Sequence, residues 1–309
     1  MKCLEGNSRL RIGLASTSRL AIPIIKSFQM SGIEITSLIS KDAKRSGRGL
    51  RQKNLEIDDF AVANGIRVFH PENTEDLYNH LIETKADLIV VISYGSLIDK
   101  TLLDVPRFGW VNLHFSLLPA YRGAAPVQRA ILAGEKTSGI TFFKLDEGMD
   151  SGPIYLQHQF DISNGSSEEI LAGMCALGAS EIKKVLELIE TGIPPQSQTG
   201  SPSFAQKITK DECRIDWSLT SELIQRKIRA FYPKPGAWTT LEGKRFTICS
   251  TKTAQLKGEP GSILSTNPLI VGTGDQSLEI EQIHPEGSKP LPSAEWVKGA
   301  RLRNDSRFD

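Results

Sequence analysis

One run of residues constrains this chain more than any other: Leu88-Ile89-Val90-Val91-Ile92 is unbroken, apolar and rich in β-branched side chains. A strand with no polar face has to be covered on both sides, as in a parallel sheet packed between helices. The surrounding pattern agrees. Short apolar segments at 11–15, 34–39, 66–69, 88–92, 111–114 and 140–145 read as strands, and helical periodicity fills 19–31, 56–64, 74–83 and 124–133. Strand–helix alternation of this kind predicts an α/β domain built on a doubly wound, mostly parallel sheet.

A long helix is expected over 166–191, opened by Ser166 and Ser167 ahead of Glu168 and Glu169 and followed by Gly192. Residues 193–203 are then rich in Pro, Ser, Gly and Gln, the composition of a linker. The expected organisation is an α/β catalytic domain over 1–192, a linker over 193–205 and a second domain over 206–309. In that last part a helix at 218–231 is followed by short strands at 238–241, 246–250, 261–264, 269–271 and 278–283 with Gly turns between them. This pattern predicts a small β-barrel, OB-like in kind. Its length of 309 residues suits two domains.

Charge limits the partners. The net charge of +1 gives little general attraction for nucleic acid, so a nucleic-acid surface has to be local. Basic residues cluster at 41–51 and 226–234. The four cysteines (Cys3, Cys175, Cys213 and Cys249) contain no CxxC pair, which predicts free thiols in a reducing compartment and no metal site. No apolar run approaches the ~20 residues that span a bilayer, and the start carries no apolar signal stretch. A cytoplasmic enzyme with no membrane partner and no obligate protein partner is expected.

The chemistry is expected around Val111-Asn112-Leu113-His114. Asn112 and His114 are two apart on a strand, so their side chains leave the same face. Left unpaired in a buried strand, each polar group would cost about 1–3 kcal/mol. A lone His in such a place is usually a core residue bonded to backbone. Here a loop with Pro119, Arg122 and Gly123 follows at the strand's carboxyl end, where open α/β sheets bind ligands. The next strand is followed by Asp146-Glu147-Gly148-Met149-Asp150-Ser151-Gly152-Pro153, a loop that could bring a carboxylate to His114. The residues themselves do not choose among Asp146, Glu147 and Asp150.

At this point a resemblance becomes specific. The stretch from Asn112 to Pro119, then Tyr121-Arg122-Gly123-Ala124-Ala125-Pro126-Val127-Gln128, then the 146–153 loop, resemble the signature of the folate-dependent formyltransferases. The form Arg-Gly-Ala-Ala-Pro-Val-Gln is similar to the branch acting on methionyl-tRNA. The likeness continues in Ser46-Gly47-Arg48-Gly49, Ser93-Tyr94-Gly95, the segment 207–217, Ile228-Arg229-Ala230-Phe231 and Pro235-Gly236-Ala237-Trp238. It implies transfer of the formyl group of 10-formyltetrahydrofolate, as cosubstrate, to the free amino group of initiator methionyl-tRNA, for translation initiation. It further implies that Asn112, His114 and Asp150 are catalytic. Asn112 would donate to the oxyanion, His114 would stabilise it or move protons, and Asp150 would orient the imidazole. The pterin would lie beside 91–98 and 145–150, with Tyr94, Gly95, Leu97, Ser116, Leu117, Leu118, Pro119, Leu145, Asp146 and Gly148 as lining residues. For tRNA, the 41–51 loop with Arg45, Arg48 and Arg51, and Lys207, Lys210 and Arg229 later in the chain, are implied contacts.

The sequence departs from the family pattern at three places. Ser16-Thr17-Ser18-Arg19 replaces a Gly-Thr-Pro turn after the first strand, Phe115 stands where Gly is common, and Asn54-Leu55-Glu56-Ile57 replaces a Pro-rich segment. Three rivals are glycinamide ribonucleotide or sugar-nucleotide formyltransferases, a nicotinamide-dependent oxidoreductase, and a non-catalytic RNA binder. Glycinamide ribonucleotide formyltransferases carry a Gly-rich phosphate loop after strand one and the oxidoreductase a GxGxxG there, and neither is present; the sugar-nucleotide enzymes stand as a weaker rival. An RNA binder would not need a polar triplet converging at a sheet's end.

Overall fold

The computed structural model describes residues 10–41, 55–303 and 305–309. The basic loop positions Arg45, Arg48 and Arg51 lie outside the described residues. Two compact units emerge: one of Met1–Ala124, Ser138–Phe160 and Leu171–Phe204, the other of Ala125–Thr137, Asp161–Ile170 and Ala205–Asp309.

The first unit is a seven-stranded sheet. Its strands are β1 (Ile12–Ala15), β2 (Ile35–Ile39), β3 (Val68–Phe69), β4 (Leu88–Val91), β5 (Trp110–His114), β6 (Thr137–Lys144) and β7 (Ile154–Asp161). They lie in the order β3-β2-β1-β4-β5-β6-β7. The first five pair in parallel and β6 runs antiparallel to β5. The doubly wound sheet is therefore as expected, with an antiparallel side added. All four β4 residues are buried, as the apolar run requires. β7 was not among the expected strands. Its residues are only half-buried or exposed, and a partly open strand gives a weaker apolar signal than a buried one.

Two of the helices begin at side-chain caps that the sequence offers. Asn73 accepts from the Asp76 amide at the start of Thr74–Thr84. Ser166 and Glu169 exchange bonds in a capping box before Ser167–Glu190. Within the latter helix Gly178 allows close approach to the sheet: a Cβ there would meet Leu113 at 2.6 Å. Residues 193–204 are tied into this unit. Gln196 and Ile154 exchange backbone bonds, and Arg122 donates its backbone N–H to the Ser203 carbonyl.

The second unit is an antiparallel sheet of β8 (Ala237–Leu241), β9 (Lys244–Ala254), β10 (Ile263–Thr266), β11 (Leu269–Gly272), β12 (Ser277–Pro285) and β13 (Leu291–Pro292). The order is β8-β9-β12-β11-β10, with β13 on β12. The chain end joins the two edges: Phe308 bridges Leu241 at the end of β8, and Arg307 bridges Ser262 beside β10. These bridges link the two outer strands of the sheet through the last residues, in keeping with the barrel-like domain expected from the sequence. The Phe308 ring lies among Trp217 (5.9 Å), Phe246 (6.1 Å) and Trp296 (6.2 Å). Ser221–Phe231 and Pro126–Ala133 form helices, and Arg129 donates to the Glu212 carboxylate and to the Gln206 and Lys207 carbonyls. That guanidinium, with help from the Thr209 amide, holds the Glu212 carboxyl down at about 2. The Ser293–Gly299 helix was not foreseen. Cys175, Cys213 and Cys249 are free and buried, and burial pushes the Cys175 thiol up to about 12 and that of Cys249 to about 11. No helix among the described residues is long and apolar enough to cross a membrane.

Candidate active site

His114 ends β5, and Asn112 precedes it by two residues on the same face. The register sets Asn112 beside Val91 of β4 and Phe143 of β6. Its side chain is half-buried, and among the described residues no protein group hydrogen-bonds its amide. Two amide donors are left available to a ligand at the carboxyl edge of the sheet.

His114 is only 5% exposed. Its Nε2 donates to the Tyr121 carbonyl at 2.9 Å, and its Nδ1 lies 3.6 Å from Asp150 Oδ2. Phe143 stands edge-on to the ring at 6.3 Å. Burial holds the imidazole below its ordinary pKa of 6.5, while the Asp150 carboxylate and the Tyr121 carbonyl pull the other way. The carbonyl fixes the neutral tautomer with its proton on Nε2, leaving a lone pair on Nδ1. A proton taken up at Nδ1 would form an imidazolium held between a carbonyl and a carboxylate.

The structure distinguishes the three acidic candidates. Asp146 accepts from the Ser151 hydroxyl (2.8 and 3.0 Å) and the Gly148 amide (3.1 Å), closing its own loop. Glu147 pairs with Lys100. Asp150 faces His114, and its Oδ2 also accepts from the Gly123 amide at 2.7 Å. Its φ of +49° is left-handed, a conformation that costs a non-glycine residue roughly 1–2 kcal/mol. Two residues on, a Cβ at Gly152 would lie 1.8 Å from the Lys144 carbonyl, so the loop can pass β6 only as glycine.

The other positions singled out in the sequence fall into different settings. Tyr94 is buried, with the Lys41 ammonium 5.0 Å over its ring and donating to the Gly95 carbonyl at 2.9 Å. Burial raises the Tyr94 phenol. Leu145 packs against the same cluster as Tyr94, while Leu97 is 82% exposed. Ser116 is fully buried and its hydroxyl donates to the Ala120 carbonyl at 2.5 Å, a satisfied interior group unsuited to nucleophilic attack. Leu118 is buried, with its amide on Thr141 Oγ1, whereas Leu117 and Pro119 are half-open. Gly148 is exposed. The Phe115 side chain is buried, so it points into the core. In the second unit Lys207 and Lys210 are exposed, but the Arg229 guanidinium donates to the Gly165 (2.7 Å) and Ile162 (2.8 Å) carbonyls and anchors that unit internally.

Sequence reasoning did not find Gln198. Its Nε2 donates to the carbonyls of Asp150 and Gly152, both at 2.8 Å, and its Oε1 accepts from Arg122 Nε (3.2 Å) and Nη2 (2.6 Å). A glutamine inside a Pro/Ser/Gly stretch gave no signal of this.

A buried imidazole between a carbonyl and a carboxylate, with an unpaired amide two residues before it, therefore lies at the carboxyl edge of a doubly wound sheet, where such sheets bind ligands. The formyl transferase family matches residues 13–179 and its C-terminal domain residues 207–301, and the chain belongs to that family. A methionyl-tRNA formyltransferase of Parafrankia sp. (strain EAN1pec) is 34% identical, covering 97% of this chain and 100% of the relative. Among solved structures, methionyl-tRNA formyltransferase from Clostridium thermocellum is similar with a TM-score of 0.60 at 19% identity, over 79% of this chain and 94% of that one. HypX from Aquifex aeolicus, solved in complex with tetrahydrofolic acid, has a TM-score of 0.69 at 19% identity over 94% of this chain. The chain spans 47% of the HypX length.

Proposed function

We propose that this chain transfers the formyl group of 10-formyltetrahydrofolate to the free amino group of methionyl-tRNA. The observation that carries the reading is the setting of His114, with Nδ1 open toward Asp150 and Nε2 fixed by Tyr121. The neutral amine attacks the formyl carbon and a tetrahedral intermediate forms. Asn112 donates to the developing oxyanion, a contribution worth roughly 3–4 kcal/mol per donor. The amine's proton passes to His114 Nδ1 and then to the folate nitrogen as its bond to the formyl carbon breaks. Asp150 keeps the transient imidazolium in place, and no covalent enzyme intermediate is needed.

The relative's name supports methionyl-tRNA as acceptor, and the turn after β1 argues against a phosphate-bearing small acceptor. Its amides are already spent: Ser16 on Ile39, Thr17 on Ser93, Ser18 on the Ser16 hydroxyl, and Leu20 on that of Ser18. Such a turn offers no nest for a phosphate. The proposed pterin site is the region of Tyr94, Gly95, Leu97 and Leu145, with the backbone of 116–119, Asp146 and Gly148 as further lining. Lys207 and Lys210 are the proposed tRNA phosphate contacts, joined by Arg45, Arg48 and Arg51.

The test is single-turnover mixing of the protein with 10-formyltetrahydrofolate labelled in the formyl group and methionyl-tRNA. Label is expected on the methionine nitrogen. With Lys207→Glu and Lys210→Glu together, the saturated rate should hold while KM for tRNA rises and its salt dependence flattens. Label that stays on folate overturns the reaction; an unchanged KM overturns the contacts.

A further inference from the structure

We propose that Gln198, clamped by Arg122, is a positioning residue that sets Asp150 against His114. The inference rests on the reading of His114 and Asp150 as the proton-handling pair. The two partners of the imidazole come from different loops, which the Gly123 amide joins at the Asp150 carboxylate and the Gln198 bridge joins at its backbone. Tyr121, whose carbonyl holds Nε2, and Gly123, whose amide holds Asp150, belong to the loop after β5. Asp150 belongs to the loop after β6. Arg122 sits between Tyr121 and Gly123, and Gln198 joins it to the carbonyls of Asp150 and Gly152.

The amide has one orientation that works. Two carbonyls need its NH2 and the guanidinium needs its oxygen, so all four of its hydrogen-bonding capacities are used. This bridge supports a left-handed Asp150, a conformation that persists only where neighbours determine it. Released from Gln198, Asp150 can relax toward ordinary φ, which turns its carboxylate away from Nδ1. The effect falls on the rate and not on affinity, because no bond to either substrate is removed.

Two variants of the full chain test this, measured by steady-state kinetics across pH and by thermal unfolding. Gln198→Leu removes the whole bridge. Gln198→Glu keeps an acceptor for Arg122 and sets a carboxylate against the two carbonyls. Both should lower kcat by about tenfold or more, within the roughly 100-fold that a 1 Å misplacement can cost. KM for each substrate should stay within about twofold and the unfolding temperature near that of the parent. The acidic limb of kcat/KM should move, because the carboxylate that raises the His114 pKa has shifted. A merely structural bond would leave that limb in place. If Gln198→Glu turns over like the parent, the donated bonds do nothing and the proposal is wrong. Should His114→Ala also remain active, the underlying catalytic reading fails instead, and the two failures are told apart.

Discussion

Replacing His114 by alanine is expected to lower kcat by about 100- to 10,000-fold, the range of a positioned proton-transfer group, with little change in the affinity for tRNA. Asn112→Ala should cost about 100- to 1,000-fold through the lost oxyanion donor. Asp150→Ala should fall between, and the three losses should not add, because the residues act on one intermediate. The pH dependence follows from burial. His114 is held below the ordinary value of 6.5, so the neutral base persists below that pH and the acidic limb of kcat/KM should lie under it. The stability effect has a defined sign. The unfolded chain takes up a proton near 6.5 that the folded chain resists, so this group's contribution weakens as pH falls through 6.5 and is full above it. Steady-state kinetics with the three variants across pH 5–9 check both. Near-parental turnover by His114→Ala would remove the imidazole from the mechanism.

The second large effect is expected in the barrel. Phe308→Ala should destabilise the second unit by about 3–5 kcal/mol, the usual cost of deleting a buried ring. Phe308 is 1% exposed, sits among Trp217, Phe246 and Trp296, and donates its amide to the Gly261 carbonyl at 2.9 Å. Asp309 donates to the Thr240 carbonyl and Ile263 to that of Ser306, so the last four residues are a seam as well as a plug. Deleting 306–309 should cost more than Phe308→Ala, because it reopens both edges. Denaturant unfolding of the full chain followed by tryptophan fluorescence reads the difference. A loss below about 1 kcal/mol for Phe308→Ala would show that the ring is not packed as described.

These two regions differ in how far the sequence reveals them. The β4 run and the Asn112–His114 spacing are local patterns with a single physical solution, and both appear in the structure where the spacing puts them. The acidic loop was readable as a loop, but its chosen carboxylate was not. Asp146 is taken up by Ser151 within its own loop, while Glu147 and Asp150 are separated by the distant partners Lys100 and Gly123. Such distance also hides Gln198, whose partners are 46, 48 and 76 positions away. It also hides the grouping of Ala125–Thr137 and Asp161–Ile170 with the C-terminal residues, which depends on bonds such as Arg129 to Glu212 and Arg229 to Gly165. The barrel seam at 306–309 has no apolar alternation to announce it.

The proposed reaction is formylation, at this site, of the amine of an aminoacylated tRNA. The most direct measurement is kcat/KM of the purified chain with 10-formyltetrahydrofolate and each of three acceptors: methionyl-tRNA, glycinamide ribonucleotide and an amino sugar nucleotide. Formylation of methionyl-tRNA is expected, with no transfer above background to the other two. Equal or faster transfer to either small acceptor would contradict it.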